Sequence, residues 1–345
     1  MKANKILVHS LFNLGDVLLS TSAVALLKQA YPNAQITMMV RPESVDMLTD
    51  HPHIHDILVF DYRGKQRSLA GQLELLREIK KRRFDIVISF DRKSRAGILS
   101  WLAGIPVRVV PDRIFDDVPT WVTRLYTHVI NIPHDLAEHH QADSFQEIIR
   151  QFCGIDGKTR PVMGRILPEN QAKAKMLIRQ FPEKKKKVAL CIKGTFALKN
   201  WPRERFADLV SRLDKQLDAV FYVIGTEGDK VYANEMIAMS HVPIANFCGS
   251  TSVRDLAALM EQTDLFITVD TGATHVAATT SVPMVVVYGC SRPRRSGPCT
   301  NSAITISKEP PCCPCKIAEK DCNAADCLLQ VSVNEMALAA MQLIR

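Results

Sequence analysis

Leu265-Phe-Ile-Thr-Val-Asp-Thr-Gly-Ala-Thr-His275 is the stretch that decides the fold, because a buried-strand pattern in it turns directly into a helix. Its first five residues are apolar or β-branched, as in a strand covered on both faces. Gly272 lets the backbone approach a ligand, and the first amides of the following helix favour a phosphate. Thr271 adds a hydroxyl donor, and His275 lies one helical turn further along. The stretch predicts a strand-to-helix turn that either binds an anion or is an ordinary capped helix.

Similar strand patterns alternate with amphipathic segments along most of the chain. In the first half we predict strands at Lys5–His9, Gln35–Val40, 57–60, 85–89 and 107–110, and helices at 17–30 and 69–81. In the second half we predict strands at 188–192, 219–224, 265–268 and Met284–Val287, and helices at 203–213, 230–238, 253–262 and 274–280. Residues 112–135 have no clear periodicity and are interpreted as loop and short helix. The alternation predicts an α/β fold with two doubly wound, parallel, Rossmann-like domains.

The pattern is interrupted at residues 155–187, which contain Gly157, Pro161, Pro168 and a lysine run. We therefore predict a first domain at 1–160 and a second at 161–345. Ligands of doubly wound sheets bind beyond the carboxyl ends of the strands, so we expect the site in a central cleft that the two domains face. An amphipathic helix at 331–344 is a candidate to pack back on the first domain.

The composition narrows the choice of partners. The 345 residues carry a net charge of +8, with basic clusters at 80–83, 184–187 and 292–295. Such clusters are either solvated surface or suited to nucleotides, phosphorylated lipids or a negative membrane face. Nucleic acid is disfavoured, because aromatic residues make up only 6% and no nucleic-acid-binding motif occurs. Without an apolar run of about 18 residues or a signal peptide, the expected location is the cytoplasm, with peripheral contact to the inner face of the membrane as an option.

Three further segments carry groups suited to chemistry. The first strand leads into Asn13-Leu-Gly-Asp16, where Asp16 is either the N-cap of a helix or a general base at a strand's carboxyl end. A strand also precedes the loop that carries Thr195 and Lys199, and another precedes Ile224-Gly-Thr-Glu-Gly-Asp229. Lys199 is either a solvated loop lysine or a cation that neutralises a diphosphate, and Asp229 suits a ribose. Neither a dinucleotide glycine fingerprint nor a Walker A motif is present.

Four motifs, taken in chain order, resemble those of glycosyltransferase family 9, the ADP-heptose:lipopolysaccharide heptosyltransferases. They are Leu14-Gly-Asp-Val-Leu-Leu-Ser20, Lys199-Asn-Trp-Pro-Arg-Glu-Arg-Phe206, Val269-Asp-Thr-Gly-Ala-Thr-His275 and Tyr288-Gly-Cys-Ser-Arg-Pro293. The resemblance implies a GT-B fold and an inverting, metal-independent transfer. The implied donor is ADP-L-glycero-D-manno-heptose, and the implied acceptor is a phosphorylated, lipid-linked saccharide of the lipopolysaccharide core.

The resemblance also implies roles for individual residues. Asp16 would deprotonate the acceptor hydroxyl, and Lys199 with the turn at Thr271 and Gly272 would stabilise the departing diphosphate. The remaining donor-binding positions implied by the family motifs are Thr195, Asp229, Asp270 and His275. No cofactor besides the nucleotide sugar is expected.

A cysteine cluster lies near the end of the chain. It consists of Cys312, Cys313, Cys315, Cys322 and Cys327. Its spacing is compatible with zinc or an iron–sulfur centre, but we favour a structural role, reduced or disulfide-linked, and expect no metal in the transfer reaction.

Three other functions remain as alternatives. One is a family 9 transferase that uses a different nucleotide sugar or acceptor, and another is a non-catalytic nucleotide-sugar-binding relative, which the presence of Asp16 disfavours. The third is a sugar-nucleotide epimerase, which needs a dinucleotide glycine fingerprint and a Tyr-x-x-x-Lys pair, and the sequence contains neither.

Overall fold

The computed structural model describes residues 3–91, 93–113, 121–132, 139–313, 315, 322 and 326–344. The chain divides into two compact units, Met1–Arg165 and Ile166–Arg345, whereas the sequence places the change of domain after residue 160. Each unit contains one six-stranded sheet in which all pairings are parallel. The predicted α/β class with two Rossmann-like, doubly wound domains is therefore confirmed.

The strands of the first unit are short and mostly buried. They are β1 Lys5–His9, β2 Gln35–Val40, β3 Asp56–Val59, β4 Ile86–Ser89, β5 Val107–Pro111 and β6 His128–Ile130. Their order in the sheet is β3-β2-β1-β4-β5-β6, so the chain reverses its winding between β1 and β4. This reversal is the topological switch point beside which doubly wound sheets bind ligands. It brings the segments that follow β1 and β4 to the same edge of the sheet.

Helices cover both faces of this sheet. They are α1 Leu14–Ala30, α2 Val45–Leu48, α3 Leu69–Arg82, α4 Ser94–Leu102 and α5 Gln141–Cys153, with 3-10 helices at Pro42–Ser44, Lys65–Arg67 and Trp121–Leu125. Helix α1 packs against α5, and α3 packs against α4. A separate core cluster joins α3 and α4 to the sheet through residues such as Leu75, Ile79 and Leu99.

The second unit repeats the same topology. Its strands are β7 Lys186–Cys191, β8 Ala219–Val223, β9 Ile244–Asn246, β10 Leu265–Val269, β11 Met284–Val287 and β12 Ala303–Ile306. They are arranged in the order β12-β11-β10-β7-β8-β9, which places the switch point between β7 and β10. All five residues of β10 are buried, as its apolar sequence predicts.

The last described helix of the second unit packs into the core of that unit. The helices of this unit are α6 Pro168–Ile178, α7 Arg203–Asp214, α8 Lys230–Met239, α9 Val253–Met260, α10 Gly272–Ala277, α11 Pro293–Ser296, α12 Asp326–Leu329 and α13 Val333–Leu343, with 3-10 helices at Ala197–Lys199 and Glu227–Asp229. Helix α13 packs on α7, β10 and β11. Its residues Met336 and Ala340 lie in the core of the second unit. The sequence analysis had instead named packing on the first domain as an option for this helix.

Several details differ from the sequence predictions, among them the start of α1 and a strand in the segment interpreted as loop. Helix α1 begins at Leu14 with Asn13 at the N-cap position, so the N-cap prediction for Asp16 is wrong, and Asp16 lies inside the first turn. Within the described part of residues 112–135, the chain forms strand β6 in addition to the predicted short helix. Among the helices that the structure describes, none has the length and apolar character needed to cross a membrane.

Trp201 anchors the segment that precedes α13. Its side chain is completely buried, and its ring lies 4.9 Å from that of Phe206 in an edge-to-face arrangement. The indole nitrogen donates a hydrogen bond to the carbonyl oxygen of Val331 at 3.1 Å, and Arg205 Nη1 donates to the same oxygen at 2.6 Å. These bonds hold the segment before α13 against the start of α7.

We expect Trp201→Phe to lower the free energy of unfolding by about 1–3 kcal/mol, because it removes one buried hydrogen bond and leaves part of the indole volume empty. Chemical denaturation followed by circular dichroism measures the change. Trp101→Phe is the matched control, since 53% of Trp101 is exposed and its replacement should alter stability by less than about 0.5 kcal/mol. Equal effects of the two substitutions would contradict this account.

Candidate functional site

The carboxyl ends of three adjacent strands in the second unit converge on one carboxylate. Asp270 directly follows β10 and is 4% exposed. Lys199, from the loop after β7, places its ammonium 2.6 Å from Asp270 Oδ2. Ser291, from the loop after β11, donates a hydrogen bond to the same carboxylate oxygen. The sequence prediction named Lys199 and Asp270 as site residues, and the structure brings them into direct contact.

The turn between β10 and α10 is held by hydroxyl groups of its own threonines. Thr274 Oγ1 donates to the carbonyl oxygen of Val269 at 2.9 Å, and the Thr268 hydroxyl donates to that oxygen at the same distance. Thr271 occupies the N-cap position with an extended backbone, and α10 begins at Gly272. The predicted helix start at 274 is therefore two residues too late. The structure places Thr271 and Gly272 at the start of the helix, where amide groups and the helix dipole favour an anion.

His275 and Thr195 occupy contrasting environments near this turn. His275 lies within α10 and is buried, with 7% of its surface exposed. Thr195 is exposed and lies in the loop between β7 and the 3-10 helix Ala197–Lys199. The two residues thus belong to the predicted segments, but only Thr195 presents its surface openly to solvent.

The loop after β7 is closed tightly on itself. The Asn200 side chain accepts a hydrogen bond from the Gly194 amide at 2.8 Å. A Cβ atom on Gly194 would lie 3.0 Å from Lys199 Cβ and 3.1 Å from the carbonyl oxygen of Asp270. This close approach favours glycine at position 194 and fixes the path of the chain beside Asp270.

The same loop contributes a second lysine to a second carboxylate. Lys193 Nζ lies 2.8 Å from Asp229 Oδ1, and Asp229 Oδ2 accepts hydrogen bonds from the Thr226 amide at 2.8 Å and hydroxyl at 2.6 Å. Burial alone would raise the pKa of Asp229, but the hydrogen bonds from Lys193 and Thr226 outweigh it and hold the pKa below its usual value. Asp229 is therefore an anchored, charged carboxylate, and Lys193 is a partner that sequence reasoning did not identify.

Asp16 belongs to the first unit, where it lies in the first turn of α1 and is partly exposed. The positive end of the helix dipole favours a carboxylate at this position. The preceding loop is anchored on both sides: Asn13 Oδ1 accepts a hydrogen bond from Arg41 Nη2 at 2.8 Å, and Asp91 Oδ2 accepts one from the Leu11 amide at 2.7 Å.

Asp91 is a residue of this edge that the sequence analysis missed. It is 1% exposed, follows β4, and also accepts a hydrogen bond from the Lys93 amide at 2.9 Å. Burial raises the pKa of Asp91. An aspartate two residues after a buried strand is a recognisable signal, and the hydrogen bonds show that Asp91 ties the β1–α1 loop to the start of α4.

All ten cysteines are free thiols in the structure. Burial raises the pKa of Cys313 and of Cys327, and it raises the pKa of Cys290 to about 11, so these side chains favour the protonated form. Within the described residues, no group of three or more histidine, cysteine, aspartate or glutamate side chains is arranged to hold a metal ion.

Comparison with known proteins gives a consistent family. The sequence profile of Glycosyltransferase family 9 (heptosyltransferase) matches residues 72–325. The lipopolysaccharide core heptosyltransferase OpsX of Haemophilus influenzae is 23% identical over 296 residues, which is 85% of this chain and 81% of OpsX.

Two solved structures share the fold. One is a family 9 glycosyl transferase from Veillonella parvula, with a TM-score of 0.89 and 24% identity, covering 100% of this chain and 98% of that one. The other is the E. coli heptosyltransferase WaaC with ADP, with a TM-score of 0.72 and 16% identity, covering 98% and 99%.

The ion pair between Lys199 and Asp270 can be tested by a double-mutant cycle. We expect Lys199→Met and Asp270→Asn to show a coupling free energy of about 1–3 kcal/mol in chemical denaturation, because both groups are largely withdrawn from water. Lys65 and Glu74 form the control pair, since their side chains are 61% and 59% exposed. Their coupling should stay below about 1 kcal/mol. A Lys199–Asp270 coupling no larger than that of the control would show that this contact stabilises the fold no more than an exposed ion pair does.

Proposed function

Since the chain belongs to glycosyltransferase family 9 and is a glycosyltransferase, we propose that it transfers heptose from ADP-L-glycero-D-manno-heptose to a saccharide of the lipopolysaccharide core. The observation that carries this proposal is the convergence of three strand ends on the contact between Lys199 and Asp270. The name of the relative OpsX supports heptose as the sugar, and the complex of WaaC with ADP supports adenosine as the nucleoside.

In this proposal the second unit binds the donor. The ammonium group of Lys199 and the amides at the start of α10, from Thr271 and Gly272 onward, hold the diphosphate. Asp270 keeps Lys199 in place through their ion pair. Thr195 adds a hydroxyl from the exposed part of the same loop, and His275 supports the turn from within α10.

The nucleoside would bind near Asp229. Its carboxylate remains charged because hydrogen bonds from Lys193 and Thr226 stabilise the ionised form. A charged carboxylate accepts hydrogen bonds from ribose hydroxyls, as acidic residues do at the ends of strands in dinucleotide-binding domains. The ring of Tyr232 lies in the same region, with Lys193 Nζ 5.9 Å and Arg203 Cζ 5.3 Å from its centroid.

The transfer step requires a base and a stabilised leaving group. Asp16 accepts the proton of the acceptor hydroxyl, and the oxygen forms a bond to the anomeric carbon as the bond from that carbon to the β-phosphate oxygen of ADP breaks. Attack from the face opposite the leaving group inverts the anomeric configuration. Lys199 and the α10 amides stabilise the charge that develops on the diphosphate, and the step needs no metal ion.

The acceptor in this proposal is a phosphorylated saccharide linked to lipid. The enzyme would therefore act in the cytoplasm at the inner face of the membrane, as a peripheral protein. Its net charge of +8 is suited to a phosphorylated, membrane-bound acceptor.

We expect Asp16→Asn to reduce transfer by at least about 100-fold while ADP binding stays within about twofold, because the substitution removes the base and leaves the donor-binding unit unchanged. Turnover is measured as ADP release, and binding by calorimetry. Asp156→Asn, an exposed change in the same unit, is the control and should retain activity. Retained turnover in the Asp16 variant would exclude Asp16 as the base.

Donor identity can be measured by thermal shift with ADP, UDP and GDP, since a ligand that binds only the folded state raises its stability. We expect ADP to stabilise most, and Lys199→Gln to weaken ADP binding about tenfold or more through the lost charged contact. Lys184→Gln, on the exposed surface of the same unit, is the control. A larger shift with UDP or GDP would overturn the ADP assignment.

A further inference from the structure

Helix α4 exposes large apolar side chains on one face. Ile98, Trp101 and Leu102 are 37%, 53% and 44% exposed, and their spacing of three and four residues places them side by side on the helix. Trp121, on the neighbouring 3-10 helix, is 58% exposed. Single exposed apolar residues are common, but a group that includes two of the chain's three tryptophans indicates an interaction surface.

The 3-10 helix Trp121–Leu125 is fixed beside α4. The side chains of Leu125 and Tyr126 lie against Gly97, within 3.2 Å of where a Cβ atom on that residue would be. Arg108 joins the loop after α4 to the end of the 3-10 helix, because its guanidinium donates hydrogen bonds to the carbonyl oxygens of Ile105 at 2.5 Å and Leu125 at 2.7 Å. The exposed residues of both elements therefore belong to one preformed surface.

This surface is also basic. Arg95 and Arg124 are exposed on the same two elements, and the sequences of residues 94–102 and 121–125 contain no aspartate or glutamate. We define the α4 face as the exposed residues of these two elements: Arg95, Ile98, Trp101, Leu102, Trp121 and Arg124.

From this composition we infer that the α4 face docks on an anionic lipid bilayer. Tryptophan side chains favour the level of the lipid headgroups, aliphatic side chains insert just below it, and arginines are attracted to anionic lipids. Within residues 94–102 and 121–125 all charged side chains are cationic, and cations beside exposed apolar groups complement such a surface.

The start of α4 lies at the edge of the first sheet that carries Asp16. Asp91 accepts hydrogen bonds from the Leu11 and Lys93 amides, so it ties the loop before Asp16 to the start of α4. A first unit docked through the α4 face would act on an acceptor held in the same bilayer. Only this role in acting on a membrane-held acceptor rests on the proposed function, because lipid binding is measurable without turnover.

The test uses the full chain and vesicles of two compositions, one of phosphatidylethanolamine with phosphatidylglycerol and one of phosphatidylcholine alone. Co-sedimentation should show binding to the anionic vesicles. The tryptophan emission should shift to shorter wavelength on binding, because Trp101 and Trp121 leave water while the completely buried Trp201 stays unchanged. The variant W101S/W121S should bind at least about tenfold more weakly and show no emission shift.

Matched variants in the second unit control for general loss of apolar surface or charge. V231S/L338S removes side chains that are 71% and 63% exposed, and it should bind like the unaltered chain. R95E/R124E should weaken binding to anionic vesicles by about tenfold or more, whereas K175E/K184E should change it far less.

Several outcomes would overturn the inference. They are equal loss of binding in the α4-face variants and their controls, equal binding to both kinds of vesicle, and absence of the emission shift. Light scattering that shows a dimer broken by W101S/W121S, without lipid binding, would identify the α4 face as a protein interface instead. Failure of the proposed transfer reaction would appear separately, as lipid binding without turnover measured by ADP release.

Discussion

The loop after β7 holds the candidate site together through two ion pairs that point in opposite directions along the sheet edge. Lys199 pairs with Asp270, which follows β10 on one side of β7. Lys193 pairs with Asp229, which lies in the segment after β8 on the other side. A single short loop therefore fixes two carboxylates at the carboxyl edge of the second sheet. A flexible loop would have to become ordered when a ligand binds, which costs conformational entropy. Because the two ion pairs already order this loop, ligand binding does not carry that cost.

In the first unit, hydrogen bonds from backbone amides to a buried carboxylate fix the switch point. Asp91, after β4, accepts amide hydrogen bonds from the loop that follows β1 and from the residue before α4. The two units thus share a strand order but differ in how their loops are anchored. A buried carboxylate bonded to backbone amides sets backbone geometry, which suits the placement of Asp16, whereas the lysine pairs of the second unit also supply cationic groups for a ligand.

The sequence was sufficient for the parts of the structure that depend on local patterns. Buried strands such as β10 have continuous apolar runs, and glycine turns mark their ends, so most strands and the positions of Lys199 and Asp270 were predictable. Short edge strands such as β6 depend on pairing with a neighbour and leave no periodicity. The N-cap of α1 was misassigned because Asn13 and Asp16 are both capping residues, and only the structure shows that the helix begins at Leu14. Ser291, Lys193 and Asp91 act through contacts that span 21 to 80 residues.

The pairing of Lys199 with Asp270 constrains how the second unit can bind a diphosphate. The pair carries no net charge, so the attraction for an anion cannot come from Lys199 as an isolated cation. A diphosphate that displaced Asp270 would leave a nearly buried carboxylate without its main partner, which is costly. The favourable arrangement keeps the ion pair and lets the remaining ammonium hydrogens donate to the phosphate, with the α10 amides supplying further donors. In this arrangement Asp270 weakens the attraction for the ground-state diphosphate but holds Lys199 where charge develops on the leaving group, and fixed donors of that kind favour the transition state.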